Sequence, residues 1–287
     1  TKVLHPVGGQ ALISHVIETA EALDNTNIHI VVGQNADVIK QHVLTAHPHL
    51  KVTWAAQTEQ LGTGHAVQQV LPNLGASNTV LILYGDVPLI RSTELTKLTE
   101  IAALGQLALL TTELDDPTGY GRIIRDSEQN VCEIIEHRDC SDSQRATKEI
   151  NTGFMALPVE VLTGALGKLD NNNDQKEYYL TDIVKLVKSQ GESITGVCTN
   201  DSGSVLGVNS RRDLAECEKH YQTRRAQSYM DAGVTIIDPT RVTFRGSVSI
   251  EPDCSLDVNT VIEGPTTIGC NVEIGANSIV RGSVLAD

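Results

Sequence analysis

The chain has 287 residues and a formal net charge of −14, with 40% apolar, 20% charged and only 3% aromatic residues. That length accommodates one large domain and a smaller one, with an aliphatic core. The carboxylate excess argues against a nucleic-acid or anionic-membrane surface, which needs a basic patch. An anionic ligand here needs a placed Lys or Arg, a metal, or backbone N–H groups. The six cysteines are scattered without C-x-x-C spacing, which predicts reduced thiols and a cytoplasmic setting. No apolar run approaches ~18 residues, so no membrane span is predicted, and no signal peptide is recognisable.

The elements follow in order. Residues 10–24 carry a helical stripe, Leu12, Ile13, Val16, Ile17, Ala20 and Leu23. A strand at Ile28–Gly33, a helix from Asp37 to about Ala46 and a strand at Val52–Ala55 come next. A helix is expected over Gly64–Leu74, then a strand at Val80–Leu83. This alternation predicts a parallel sheet with helices on its faces. A helix over 95–104 and a strand at Leu107–Thr112 continue the pattern. Residues 120–136 read as a hairpin, and a strand from Ile150 to Leu157 brings the chain back to the sheet. Helices near 158–168 and 181–190 and a strand at Ile194–Thr199 complete a domain of residues 1–207. A polar helix from Ser210 to about Asp231, stopped at Gly233, reads as a connector over 208–233.

From residue 234 to 287 a period of six takes over. Phe244, Ile250, Leu256, Ile262, Ile268, Ile274 and Val280 recur without a miss. Neither a helix nor an antiparallel strand has that period. A left-handed parallel β-helix does, each step forming one side of a triangular coil. One aliphatic side chain per step points inward and stacks on its equivalent ~18 residues away, each burial contributing roughly 1.5–3 kcal/mol. The repeat stops in mid-pattern at Asp287, and Thr1 is not a methionine. The expectation is a piece of a longer protein.

Two stretches carry chemistry. Leu83-Tyr84-Gly85-Asp86-Val87-Pro88-Leu89 follows the apolar run Val80–Leu83. In open α/β sheets ligands bind outside the carboxyl ends of strands, where Asp86 can hold a divalent metal against a phosphate. The structural alternative is an ordinary turn aspartate. Gln57-Thr58-Glu59-Gln60-Leu61-Gly62-Thr63-Gly64-His65-Ala66 lies between a strand and a helix. Its glycines admit a ligand close to the backbone, and a helix N-terminus offers free N–H groups. Gln57 can read the edge of a flat base, and Thr63 can add a hydroxyl or simply cap the helix. His65 reads as a first-turn helix residue.

With Lys2–His5, Asp115–Ile123, Glu136-His137, Glu149–Gly153, Glu177–Asp182 and Gly207–Asn209, these stretches resemble the bacterial bifunctional N-acetylglucosamine-1-phosphate uridyltransferase/glucosamine-1-phosphate acetyltransferase family, in its order and across the whole chain. The resemblance implies an α/β nucleotidyltransferase with a Rossmann-like mixed sheet, a connector helix and the first coils of a left-handed β-helix. It implies transfer of uridylyl from UTP to N-acetylglucosamine-1-phosphate. The products are pyrophosphate and UDP-N-acetylglucosamine, which supplies cell-wall and lipopolysaccharide precursors. It assigns Gln57, Gly62 and Thr63 to the uracil, Tyr84 and Gly85 to the nucleotide pocket, and Asp86 with Asn209 to Mg²⁺. It assigns Gly121, Glu136, Asn151, Tyr179 and Thr181, with Asn209, to the sugar phosphate, and Lys2 to phosphate charge. No nucleic-acid or membrane partner is implied, and the whole protein is expected to be a homotrimer.

Each residue also has a plain structural reading. Lys2 is a terminal surface lysine, Gly121 a strand start, and Glu136 an exposed charge at a strand end. Asn151 is a turn amide, Tyr179 a helix-entry aromatic and Thr181 an N-cap, while Asn209 or Ser210 caps the following helix. The family's glycine-rich, arginine-bearing phosphate turn and first strand belong upstream of Lys2. The 287 residues alone are therefore expected to be inactive or nearly so. The acetyltransferase site belongs beyond Asp287. Two rivals stay open. One is another sugar-1-phosphate nucleotidyltransferase with a β-helix tail, against which the Gln57–Ala66 stretch argues. The other is a trimeric β-helix acyltransferase or scaffold whose N-terminal domain only binds.

Overall fold

A computed structural model describes residues 1–23, 27–75, 77–173 and 175–287. The chain forms two compact units, one of Thr1 with Val16–Val205, the other of Lys2–His15 with Leu206–Asp287.

The first unit is built around the ten-residue strand Glu149–Pro158. Leu107–Glu113 runs antiparallel along one edge of it, and Ile194–Thr199 pairs parallel beyond that. The opposite edge is shared. Thr79–Ile82 pairs antiparallel with its far half, from Thr79↔Pro158 to Ile82↔Met155. The hairpin Arg122–Arg125/Val131–Ile135 joins its near end at Arg122↔Ile150. Ile28–Val32 and Val52–Ala56 form a separate parallel pair. The sheet is therefore mixed, as the resemblance implies, and not parallel as the alternation predicts. The correction has a simple cause: Glu149–Pro158 returns after a hairpin and a short helix, so it arrives antiparallel to its neighbours.

Both faces of this sheet are covered, which explains the unbroken apolar run of residues 107–110. Leu107 and Leu109 join Met155, Leu157, Leu162 and Ile183 on one face. Ala108 and Leu110 join Leu95, Leu98 and Phe154 on the other. The helix expected over Gly64–Leu74 is shorter. It ends at Gln68 and gives way to a 3₁₀ turn, Leu71–Asn73. Pro72 lacks the N–H a helix interior requires.

In the second unit the six-residue period becomes a parallel β-helix of three three-stranded sheets. Phe244↔Ile262↔Val280, Ile250↔Ile268 and Leu256↔Ile274 stack at the expected 18-residue step. Asp253, Asn259, Asn271 and Asn277 turn corners with φ near +60°, a conformation Asn and Asp tolerate. The helix Arg211–Asp231 does more than connect. Gln222 bonds both the N–H and the carbonyl of Phe244, each at 2.8 Å. Tyr229 donates to Val248 O at 2.7 Å. The helix thus closes over the first coil. Pro6–Val7 and Gln10–Ala11 form a small antiparallel ribbon that the sequence pattern did not reveal.

Ile262 is fully buried between its coil neighbours. Ile262→Ala is expected to destabilise this unit by about 2–5 kcal/mol, read from its transition in urea. A change under about 1 kcal/mol would contradict the inward stacking.

Candidate functional site

The two strands sharing one edge of Glu149–Pro158 leave residues 151–154 of that edge without a strand partner. Around this gap most of the residues singled out in the sequence come together. The chain leaves Thr79–Ile82 through Leu83 and Tyr84, and Val87 N–H bonds Tyr84 O at 3.2 Å, closing a turn. Gly85 and Asp86 occupy that turn, so Asp86 is a turn aspartate whichever ligand it holds. The Tyr84 ring lies against Gly153, where a Cβ would come within 2.6 Å of it. Gly153 also has φ +91°. A glycine interrupting a strand signals such an approach, and this one was legible on that ground, although no role was assigned to it.

From the other side, Asn151 N–H bonds Gly121 O at 2.9 Å, and Asn151 Oδ1 accepts from Gly153 N–H at 3.1 Å. The Arg122↔Ile135 and Arg122↔Ile150 register makes Gly121, Glu136 and Asn151 the next row across three strands. Gly121's missing Cβ would stand 3.6 Å from both Glu136 carboxylate oxygens. Thr181 lies at the cap position of helix Asp182–Ser189 but makes no side-chain cap bond. Its hydroxyl donates instead to Glu136 Oε1 at 2.9 Å. Burial pushes the Glu136 carboxyl up, the Thr181 hydroxyl opposes this, and Asp139 adds to it. Tyr179 is buried, and its hydroxyl donates to Gln175 at 3.1 Å.

The Gln57 loop docks on the same region. Gly64 N–H bonds Tyr178 O, and Tyr178 N–H bonds Leu61 O, each at 2.8 Å. Gly62, at φ +105°, leaves no room for a side chain against the Tyr178 backbone. Thr63 is the first residue of the helix rather than its cap, and its hydroxyl accepts from Leu180 N–H at 3.0 Å. Gln57 Nε2 donates to Gly62 O at 2.9 Å and lies 3.2 Å from His65 Nδ1. That occupies its amide nitrogen and leaves the amide oxygen to accept from a ligand. Burial and the carboxylates of Glu136 and Asp86 push the Tyr84 phenol up, against a hydrogen bond with Thr63. Tyr84 therefore lies within electrostatic reach of both carboxylates.

Lys2 and Asn209 belong to the other unit, where they meet each other. Lys2 Nζ donates to Asn209 Oδ1 at 2.8 Å. Capping of helix Arg211–Asp231 falls to Ser210, in a capping box with Asp213, so the Asn209 side chain is not used as a cap. Among the described residues no group of three or more His, Cys, Asp or Glu is placed to hold a metal. Among the described residues, no helix is long and apolar enough to cross a membrane.

Asp182 went unnoticed as a single residue in the sequence. Its carboxyl is pushed up from 3.8 to about 6, first by burial and then by Asp170 and Glu136, with Lys185 opposing. The folded chain thus holds this proton more tightly than the unfolded chain. The stability it contributes is full below the unfolded value and is lost as pH rises through about 6. Asp182→Asn carries no such slope. Its stability relative to the parent is expected to rise between about pH 4.5 and pH 7.5, compared through urea midpoints; a relative stability that stays flat or falls over that range would contradict the shift.

The family profile described as nucleotidyl transferase matches residues 1–233. A protein named "Bifunctional protein GlmU" from Pseudomonas putida is 45% identical over 284 residues, covering 99% of this chain and 61% of its own. The protein of the same name from Stutzerimonas stutzeri is 47% identical over 284 residues, covering 99% and 62%. The Azoarcus protein is 45% identical over 280 residues, covering 98% and 61%. The chain thus spans about three fifths of the length of these curated relatives. The solved structure of HddC from Yersinia pseudotuberculosis superposes with a TM-score of 0.57 at 17% identity, over 77% of this chain and 89% of that one, a likeness of fold alone. On the match over residues 1–233, this chain belongs to the nucleotidyl transferase family.

Proposed function

We propose that the protein carrying this chain transfers uridylyl from UTP to N-acetylglucosamine-1-phosphate, giving UDP-N-acetylglucosamine and pyrophosphate. The observation that carries the reading is the row Asn151–Gly121–Glu136, with Thr181 diverted from its cap to Glu136. A carboxylate held beside a bare glycine, an amide and a hydroxyl can hydrogen-bond several sugar hydroxyl and amide groups at once. The resemblance adds Tyr179, two residues before Thr181, to this set. The relatives named bifunctional and the family match support the nucleotidyl half of the reading.

On this reading Gln57, Gly62 and Thr63 hold the uracil, the Gln57 amide oxygen accepting from its N–H. Tyr84 and Gly85 line the nucleotide pocket. A phosphate oxygen of the sugar phosphate attacks the α-phosphorus of UTP in line, and the bond to the pyrophosphate oxygen breaks. The nucleophile is already anionic, so no general base is needed. Catalysis is positioning and charge neutralisation. The resemblance assigns Asp86 and Asn209 to Mg²⁺, and a carboxylate and an amide oxygen are the hard donors that ion takes. Bound there, Mg²⁺ would neutralise phosphate charge. Lys2, whose ammonium already donates to Asn209 Oδ1, would add a cation for the same phosphates. The cytoplasmic setting and the homotrimer rest on the cysteine pattern and on the resemblance respectively, and we carry both as part of this proposal.

In the intact protein, Asp86→Asn is expected to lower Mg²⁺-dependent pyrophosphate release by about 100-fold or more, and release is expected with UTP rather than ATP or GTP. Undiminished release in the variant would remove Asp86 from the site. A preference for ATP or GTP would overturn the uridylyl assignment.

A further inference from the structure

Arg122 is 1% exposed and is the largest of the fully buried side chains. Among the described residues it forms no salt bridge, and its Nε finds no hydrogen-bond partner. A buried cation with no carboxylate in contact is costly, and the Asp116 carboxylate acts on this one only from beyond salt-bridge distance, so stability alone gives little reason to keep it. What the guanidinium does touch is specific. Nη1 donates to the carbonyl of Tyr120, and Nη2 lies 3.3 Å from His137 Nδ1. Arginine is always a donor, so His137 Nδ1 is the acceptor in this contact.

Tyr120 immediately precedes Gly121, and His137 immediately follows Glu136. Arg122 is also the ladder position that pairs with Ile135 on one side and Ile150 on the other. Successive side chains on a strand point to opposite faces. Gly121 and Glu136 therefore meet on one face, while Arg122 lies on the other and grips the chain neighbour of each, the Tyr120 carbonyl and the His137 ring. We propose that Arg122 is a positioning residue: its guanidinium fork fixes the spacing between Gly121 and Glu136 from behind the sheet, and so sets the affinity of the pocket for the sugar phosphate. This rests on the reading of that row as the sugar-phosphate subsite.

A lysine keeps the charge but not the two-pronged geometry. Arg122→Lys in the intact protein is expected to raise KM for N-acetylglucosamine-1-phosphate about tenfold, since small misplacements of binding groups are costly, while KM for UTP stays within about twofold. His137→Ala removes one of the two anchors at a half-buried position and is expected to shift the same KM in the same direction, by less. An unchanged sugar-phosphate KM in both variants would overturn the proposal, as would equal rises for both substrates. If Arg122→Lys does not fold, His137→Ala alone decides. Amide hydrogen exchange without ligand separates this proposal from the functional one. In Arg122→Lys, residues 120–121 and 136–137 are expected to exchange faster while residues 79–86 do not change. Faster exchange there in a protein that never turns over the sugar phosphate would sink the functional reading and leave the positioning role of Arg122. Unaltered exchange would remove Arg122's role directly.

Discussion

Sharing one edge of the strand Glu149–Pro158 between two short partners is the constraint on which the first unit depends. Thr79–Ile82 satisfies the far half of that edge, and the hairpin satisfies the near end. A single long partner would have closed the ladder and buried residues 151–154 under another strand. Because the two partners instead stop on either side, the chain ends they carry, Tyr84–Asp86 and Gly121, converge on Asn151–Gly153. Backbone groups left unpaired by the sheet must be satisfied by something. Here Asn151 does so locally, its N–H reaching Gly121 O and its side chain reaching Gly153 N–H. A rigid mixed sheet thus presents a short stretch of irregular, polar backbone, buried on both sides by aliphatic clusters that cannot easily shift.

The electrostatics of that gap run against an anionic ligand unless it brings or meets cations. Glu136, Asp182 and the Tyr84 hydroxyl all hold their protons more tightly than usual, through burial first and neighbouring carboxylates second. A chain with a net charge of −14 adds no general attraction for phosphate. Specific donors therefore have to do that work, which is the chemistry a hard cation, a lysine and backbone N–H groups supply.

Much of this was legible because periodicity is a physical signal. The six-residue repeat fixed the inward residues of the β-helix down to their 18-residue register. The run at residues 107–110 could be read as buried without saying on which face each residue lay. The strand directions were less legible, because pairing depends on which distant segment arrives and from where. A break at Pro72 was readable in principle, since a proline removes the N–H a helix interior needs, yet the expected helix ran through it to Leu74. Arg122 was unreadable. In sequence it opens the short strand Arg122-Ile123-Ile124-Arg125 like any exposed strand-end arginine, and only the fold shows that it is buried. Lys2 and Asn209, 207 positions apart, meet through a contact that no local pattern announces.

The most informative failures of local rules are the capping ones. Thr181, Asn209 and Thr63 each had an ordinary role available at a helix N-terminus, and that role would have accounted for the residue type. Ser210 takes such a role and forms a full capping box. Thr181 and Thr63 forgo it. One hydroxyl goes to a carboxylate in the gap, and the other ties its loop to Leu180. A helix that leaves its cap unmade forfeits roughly 0.5–2 kcal/mol. Where sequence and local structure disagree in this way, the side chain is answering to something other than its own helix. In this chain the two departures face the same few residues, Glu136 with Thr181 and Leu180 with Thr63, so the loop that carries Gln57 and the strand end that carries Glu136 are fastened to consecutive positions of one segment. That shared fastening ties the Gln57 loop and the Glu136 strand end into one region rather than two.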